Sequence, residues 1–318
     1  MVAKSIDRTK SIEYSDPKAS QIDKLVYEIR RLIHAEGPSA PFLEEVVYAL
    51  RADELRLPIL PDSVSRVMRL VDKPEVNMGE LAQVIELDPV LAVKTVGVAN
   101  SAYYRGAEPA VSVHQALMRM GLGHARNVVV AVALRSSLFR VAGYESEAQE
   151  VWLHSLYSAL ATQAVLSEIP PWQDSGFLLG LSHDIGRIAM LNFAAEARGR
   201  DRKHRGPDRA VVQEVSDLIH AGLGALAVDS WGFSEEFSRV IADHHKPNTI
   251  EDHRIVLARA LAVGDAIAHH VRDGGPVEDV SMDKGLMELL ESVGQDQSRG
   301  LNLIFEVQKG FDAFAKLV

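Results

Sequence analysis

Apolar residues recur at helical spacing, almost without a break, from residue 112 to residue 317. Side chains three and four positions apart share one helix face, so a chain with this pattern folds by packing helices on one another. Aromatic residues make up only 6% of the chain, and a core of Leu, Val, Ile and Ala suits such packing. The predicted fold class is all-α, a multi-helix bundle. Its later helices are predicted over 112–141, 146–168, 174–195, 208–221, 222–231, 234–245, 250–272, 284–293 and 299–317.

The run NVVVAVAL at 127–134 is compatible with a buried strand or a buried helix, and its helical neighbours favour a helix. Two further helices are predicted near the N-terminus, over 20–35 and in FLEEVVYAL at 42–50. We divide the chain into an amphipathic helical extension at 1–50, a main domain at 51–272 whose metal-site core spans 146–272, and C-terminal helices at 273–318 that pack on the core. The extension either packs on the main domain or pairs two protomers, which leaves an oligomer formed through residues 20–50 open.

Charge and residue usage exclude several classes of site. The chain has no cysteine, so a metal must be held by imidazole and oxygen ligands. A formal charge of −10 opposes non-specific binding to nucleic acid, whose phosphates attract basic surfaces. We find no stretch resembling a membrane span of about 20 apolar residues and no apolar core of a secretory signal at the N-terminus. We therefore expect a cytoplasmic protein with no membrane contact.

Potential metal ligands follow one another in a definite order along the predicted helices. Glu150 and His154 are four residues apart and share a helix face. The adjacent His183 and Asp184 diverge by roughly 100° on a helix, yet both can reach metal held between that helix and its neighbours, with Asp184 as a bridge between two ions. Each residue alone is more often structural than ligating, but their joint occurrence indicates a metal site. The predicted ligands are Glu150, His154, His183, Asp184, His220, His244, His245 and Asp265.

Imidazole and carboxylate ligands without thiolate suit Fe, Mn, Zn or Ni. We expect Fe or Mn in two sites, with Zn and Ni as alternatives. His269 shares a face with Asp265, where it is either a rival ligand or, as we prefer, a boundary histidine. Arg126, Arg135 and Arg254 either neutralise an anionic ligand or, as we prefer, lie on solvated helix faces.

The same residues make the chain resemble the HDOD family, the HD-related output domains of bacterial signalling proteins. The resemblance runs from about Arg56 to about His270. It is carried by RLPILPDSVSRVMRLVDKPEVNMGELAQVIELDPVLAVKTVGVANSAYYRG, VWLHSLYSALATQAV, FLLGLSHDIGRIAML, HAGLGALAVDSWGFSEEFSRVIADHH and AVGDAIAHH. It implies a helical bundle built on the HD metal-dependent phosphohydrolase fold. Many members have lost part of the metal set and act through protein contacts in signalling.

This chain keeps a metal set similar to that of the HD-GYP phosphodiesterases, which cleave cyclic di-GMP. The resemblance implies that Glu150 serves a third ion, that Asp184 is catalytic, and that Arg187 contacts phosphate in place of the usual Lys. The GYP tripeptide is missing, since KPNTIEDHR follows His245. Cleavage of cyclic di-GMP is therefore less expected than metal binding.

Three functions stay open. The first is a regulatory or output module of bacterial signalling that engages a protein partner. The second is a metal-dependent phosphohydrolase acting on a nucleotide or cyclic dinucleotide, with Arg187 holding the phosphate. The third is an oxidative di-iron site of the kind found in HD-fold oxygenases, which the His-rich ligand set permits.

Overall fold

The computed structural model describes residues 17–33, 37–71, 77–104, 106–200, 206–272, 284–294 and 297–315. Every regular element within these ranges is helical, and the predicted all-α fold is confirmed. The chain divides into two compact units, Met1–Leu55 and Arg56–Val318.

The first unit contains two helices that pack on each other, α1 (Pro17–Ile33) and α2 (Ala40–Arg51). Both lie where the apolar spacing predicts them. Val26 and Ile29 of α1 and Val46 of α2 are almost completely buried.

The second unit begins with five short helices. Asn77 caps α4, where its side chain accepts a hydrogen bond from the backbone N–H of Gly79 at 2.7 Å, as expected for an N-cap. The run 127–134 lies within α7, and residues 128–134 are all buried. The predicted single helix over 112–141 is wrong, because Gly121 adopts a φ of 76° and separates α6 from α7. These helices are α3 (Asp62–Val71), α4 (Met78–Glu86), α5 (Pro89–Ala99), α6 (Val113–Met120) and α7 (Leu122–Ser137).

The remaining helices surround α8, whose buried residues include Trp152 and Leu156. After α7 come α8 (Glu145–Leu166), α9 (Gly176–Ser182), α10 (Ile185–Arg200), α11 (Arg209–Ser230), α12 (Glu235–Ala242), a 3-10 turn (Pro247–Thr249), α13 (Ile255–Arg272), α14 (Lys284–Ser292) and α15 (Gln297–Ala315). Helices α9, α13 and α15 all pack on α8.

Two predicted boundaries in this region are wrong. The helix expected over 174–195 is interrupted after Ser182, so His183 and Asp184 lie in a turn between α9 and α10. The helices expected over 208–221 and 222–231 form one continuous helix, α11. Gly224 in its interior does not break the helix; a Cβ there would lie 3.2 Å from the carbonyl oxygen of His183, so glycine permits close packing.

Glycines allow the backbones around α8 and α11 to approach one another. A Cβ on Gly180 would lie 2.5 Å from the carbonyl oxygen of Ser158, and one on Gly186 would lie 2.0 Å from that of His220. Real Cβ atoms do not approach other atoms so closely, so any larger residue must displace a helix. The close approach brings residues of α8, α10, α11 and α13 within reach of one another.

Among the described residues, α11 is long and apolar enough to cross a membrane by length and composition. About 61% of its most apolar window is buried within the fold, as for a core helix.

We predict that Gly180→Ala destabilises the protein by about 1–3 kcal/mol, because the added methyl group overlaps the α8 backbone. Urea unfolding followed by circular dichroism measures the loss. Gly199→Ala is the matched control: Gly199 is exposed in α10, and a Cβ there meets nothing within 4 Å. That change is expected to be neutral or to stabilise by up to about 1 kcal/mol. Equal stability of the two variants would contradict the close packing of α8 and α9.

Candidate metal centre

Seven of the eight predicted ligands converge on one cluster, in which His245 is exposed, Asp265 is half-buried and the other five are buried. They come from five places in the chain, since His154 lies on α8, Asp265 on α13 and His220 on α11, while the other four lie in turns. The cluster comprises His154, His183, Asp184, His220, His244, His245 and Asp265.

Three of these residues form a first group of ligand atoms, called site A: His154, His183 and Asp265. The Nε2 atom of His154 lies 2.9 Å from Oδ1 of Asp265 and 3.3 Å from Nε2 of His183. Nε2 of His183 lies 3.6 Å from the same Asp265 oxygen. Asp265 lies inside α13.

Three histidines form a second group, called site B: His220, His244 and His245. Nε2 of His220 lies 2.8 Å from Nε2 of His245 and 3.4 Å from Nε2 of His244. The ligand atoms of each site lie within 4.8 Å of one another. Each site therefore offers three convergent donors to one cation.

Asp184 lies between the two sites. Its Oδ1 is 3.2 Å from Nε2 of His220 in site B. Its Oδ2 is 3.8 Å from Nε2 of both His154 and His183 in site A. Because each carboxylate oxygen is directed to a different site, Asp184 can bridge two ions. Asp184 lies in the turn between α9 and α10, directly after His183.

Backbone carbonyls orient three of the imidazoles. Nδ1–H of His183 donates to the carbonyl of Gly180 at 2.7 Å, that of His220 to Ser216 at 2.8 Å, and that of His244 to Ile241 at 2.7 Å. A carbonyl accepts only from an N–H, so the proton of each neutral ring is on Nδ1 and the Nε2 lone pair faces the cluster. Imidazoles that bind metal are usually held in this way.

The donor chemistry fits a divalent cation. With their Nδ1–H groups engaged by carbonyls, neutral His220 and His244 face each other through Nε2 lone pairs 3.4 Å apart in site B, and a cation between them would convert that repulsion into coordination. Imidazole nitrogens with carboxylate oxygens are ligands for Fe, Mn, Zn or Ni.

In site A, Nδ1 of His154 is buried with no hydrogen-bond partner in the described part of the chain. No carbonyl therefore orients this ring, and its Nε2 lies beside Asp265.

Burial and charge prepare these groups for binding. Burial lowers the pKa of His220 to about 4 and that of His244 to about 3, so both are neutral at pH 7. Burial also lowers the pKa of His183, but the carboxylates of Asp184 and Asp265 outweigh it and raise the value to about 9. Burial opposes ionisation of Asp184 and Asp265, yet the neighbouring imidazoles hold the pKa of both carboxyls well below the ordinary range. A bound cation would take the place of the proton on His183.

Arg187 is engaged by two carboxylates. Its Nε donates to Oδ2 of Asp184 at 2.9 Å, and its guanidinium also pairs with Asp217. Burial lowers the pKa of Arg187, but these two carboxylates raise it above the ordinary value. Asp217 precedes His220 by three residues on one face of α11, and this spacing is the signal that our sequence reasoning missed.

Beside site A lies a cavity of about 260 Å³. Glu150 lines this cavity and belongs to none of the ligand groups found among the described residues, so its predicted role as a ligand stays a prediction. His269 also lines it, with Nε2 3.5 Å from Oδ1 of Asp265. The ionisable residues of the wall are Glu147, Glu150, His154, Asp184, Arg187, Asp217 and His269.

The other arginines singled out in the sequence lie elsewhere. Arg135 bonds to the carbonyl of Phe139 and to Gln149, and Arg254 pairs with Asp252. Arg126 lines a separate cavity.

Comparison with known proteins identifies one family and several solved structures of similar fold. A family model for the HDOD domain matches residues 57–247, which include six of the seven clustered residues. An uncharacterized protein of Treponema pallidum (strain Nichols) is 21% identical over 210 residues, or 64% of this chain. The chain spans 40% of the length of that relative.

Solved structures share the fold. An "HDOD domain protein with unknown function" from Geobacter sulfurreducens is 19% identical, with a TM-score of 0.64 over 93% of this chain and 99% of the other. A "Putative metal-dependent phosphohydrolase" from Shewanella amazonensis SB2B is 21% identical, with a TM-score of 0.60 over 90% and 99%. A "Putative signal transduction protein" from Marinobacter aquaeolei VT8 is 22% identical, with a TM-score of 0.62 over 95% and 66%.

We predict that the purified protein binds Fe or Mn and that its two sites can be emptied separately. His154→Ala should remove the ion of site A and His245→Ala that of site B, each lowering the metal content by about half. Asp184→Asn should weaken both sites, because both carboxylate oxygens are used. Elemental analysis of freshly purified protein measures the content.

His114→Ala is the control for these variants, since His114 is exposed and belongs to none of the ligand groups. It should leave the metal content unchanged. A His154→Ala protein that folds and holds as much metal as the wild type would contradict the assignment of site A.

Proposed function

This chain belongs to the HDOD domain family, and on that premise we propose that it is a metal-binding regulatory module of bacterial signalling that engages a protein partner. One observation carries the proposal. The ligand cluster is complete, but Arg187, the guanidinium in the wall of the adjoining cavity, is already paired with Asp184 and Asp217.

Catalysis on a phosphoester needs positive groups directed at the phosphate. The cavity wall instead carries four carboxylates, and three of them, Glu147, Asp184 and Asp217, pair with an arginine in the described structure. Glu150 adds a further negative charge. An anion entering the cavity is repelled unless bound metal outweighs this charge. The missing GYP segment weakens the catalytic interpretation further. In its place, a short 3-10 turn at Pro247–Thr249 follows the His244-His245 pair.

Metal binding suits regulation because the ligands join separate segments of the fold. A cation in site A links α8 and α13 to the turn after α9, and a cation in site B links α11 to the end of α12. Binding to the folded state alone stabilises it by about 3–4 kcal/mol when metal exceeds its dissociation constant by 100- to 1,000-fold. Occupancy can therefore control how firmly these helices are held together.

A surface for a protein partner is supported by exposed apolar side chains just after α4 and in the first half of α5. Leu87, Val90 and Val93 are 69%, 55% and 73% exposed and follow one another at intervals of three residues. Exposed apolar groups gathered in this way are typical of protein contact surfaces.

A metal-dependent phosphohydrolase is the second candidate, favoured by the cavity of about 260 Å³ beside His154 and Asp184. Two divalent cations would supply an activated water and polarise a phosphoryl oxygen. In this reading Asp184 bridges the sites, Arg187 leaves Asp217 to hold the phosphate, and Glu150 faces the substrate. The cavity suits a simple phosphoester better than a cyclic dinucleotide.

We predict little or no cleavage of cyclic di-GMP by the protein loaded with Fe or Mn, and no faster turnover of it than of bis-p-nitrophenyl phosphate. The physical reason is the anionic wall and the engaged Arg187. Chromatography of the linear dinucleotide and absorbance of nitrophenolate measure the two rates, with Asp184→Asn as the inactive control. Robust production of linear dinucleotide, lost in Asp184→Asn, would replace the regulatory proposal with the hydrolase.

We also predict a partner that is lost when the apolar surface acquires charge. Affinity capture from the native host is compared for wild type and Val93→Asp, and a specific partner should fall by at least about tenfold. Phe305→Asp is the control, since Phe305 is another exposed apolar residue, 55% accessible, on α15. If both variants capture the same proteins as the wild type, this surface is not the contact.

A further inference from the structure

A second cavity, of about 280 Å³, lies in the Arg56–Val318 unit and shares no lining residue with the cavity at the metal centre. Its walls come from the segment after α5 and from α7, α8, α9 and α15. This cavity plays no part in the function proposed above.

Aromatic and apolar side chains form the inner surface of this cavity. Tyr104 packs edge-on against Tyr103 at 4.6 Å and against His124 at 5.7 Å between ring centroids. Phe177 is buried on the opposite helix, α9. Such a surface receives a planar ring by stacking or edge contact.

The aromatic rings are also uncharged at neutral pH. Burial raises the pKa of Tyr104, so its phenol stays protonated and can donate a hydrogen bond. Burial lowers the pKa of His124, so its imidazole is neutral. The inner surface therefore offers ring faces and hydrogen-bonding groups without charge.

The rim carries the charges. Arg126, on α7, Asp174, just before α9, and Glu306, on α15, line the cavity. Within the described structure the side chains of Arg126 and Asp174 make no hydrogen bond or ion pair, in contrast to Arg187 at the metal centre. A free guanidinium binds phosphate through several N–H donors, and a free carboxylate accepts hydrogen bonds from hydroxyl or amino groups.

We propose that this cavity binds a nucleoside monophosphate. The base lies against Tyr103, Tyr104 and His124, Arg126 binds the phosphate, and Asp174 accepts from a ribose hydroxyl or an amino group of the base. The volume is near the lower limit for small-molecule sites, which begins at about 300 Å³. A cyclic dinucleotide, with its second base and ribose, is too large for it.

The cavity and the metal centre rest on the same two helices. Leu160, Gln163 and Ala164 of α8 line the cavity, and His154 lies earlier on the same helix. Phe177 begins the helix that ends beside His183. The experiment must therefore separate binding in this cavity from binding of phosphate to metal.

The test is isothermal titration of the full chain with adenosine and guanosine monophosphates, and with adenosine and inorganic phosphate as partial ligands. At least one nucleotide should bind saturably, and each partial ligand at least about tenfold more weakly. Arg126→Gln should weaken nucleotide binding by about 10- to 100-fold and leave adenosine binding unchanged. Arg140→Gln, a change at an exposed arginine outside the cavity, is the matched control.

Two more variants complete the test. Gly123 lines the cavity, and a Cβ there meets nothing within 4 Å, so Gly123→Phe should fill the space and abolish binding without a backbone clash. Asp184→Asn should bind nucleotide with wild-type affinity, because the metal centre is elsewhere. Thermal unfolding verifies that each variant is folded.

Three results would overturn the proposal. The first is no nucleotide binding at concentrations of roughly 1 mM. The second is equal affinity in wild type, Arg126→Gln and Gly123→Phe. The third is nucleotide binding that disappears in folded Asp184→Asn or after removal of metal, which would assign the ligand to the metal centre and leave the regulatory proposal intact.

Discussion

The position of the Asp184 carboxylate between two groups of imidazoles is the constraint on which the rest of this structure depends. Its Oδ1 faces site B and its Oδ2 faces site A, from a position where the chain leaves α9 just before His183 and enters α10 just after Asp184. That turn is held against α11, where Gly186 lies so close to the carbonyl of His220 that a side chain would not fit. The close packing at Gly186 therefore also fixes where His183, Asp184 and His220 lie relative to one another.

A buried cluster of this kind is costly to the protein in the absence of a cation. The neutral imidazoles of His220 and His244 direct their Nε2 lone pairs at one another, and the buried carboxylate of Asp184 keeps its charge only because neighbouring groups compensate it. A bound metal would remove both costs and at the same time join helices that are far apart in the chain. Such a coupling between occupancy and packing is the physical basis of the regulatory role that we propose, whereas the anionic cavity and the engaged Arg187 oppose efficient phosphoester chemistry.

The helices and the ligand set were largely accessible from the sequence, and the details of the site were not. Helical spacing identified α7 despite its strand-like run of valines, because helices flank it on both sides. It failed at His183-Asp184, where no Pro or positive-φ Gly marks the interruption, and at Gly224, where glycine serves close packing instead of ending the helix. The groups that orient the histidines are backbone carbonyls, and the identity of the residue that carries a carbonyl does not show that it accepts such a hydrogen bond.

By itself, the sequence determined the all-α fold, the absence of thiolate ligands and a set of eight candidate ligands, since periodicity, composition and the order of histidines are all local properties. Only the tertiary structure decided that seven of the eight meet, that Asp184 lies between two groups of donor atoms, that Arg187 is paired with Asp217, and that Glu150 lies apart along a cavity wall. Those outcomes depend on how closely helices that are far apart in the sequence approach one another in space. The close approaches occur at glycines, and the spacing of residues along one helix does not show which helix packs against them.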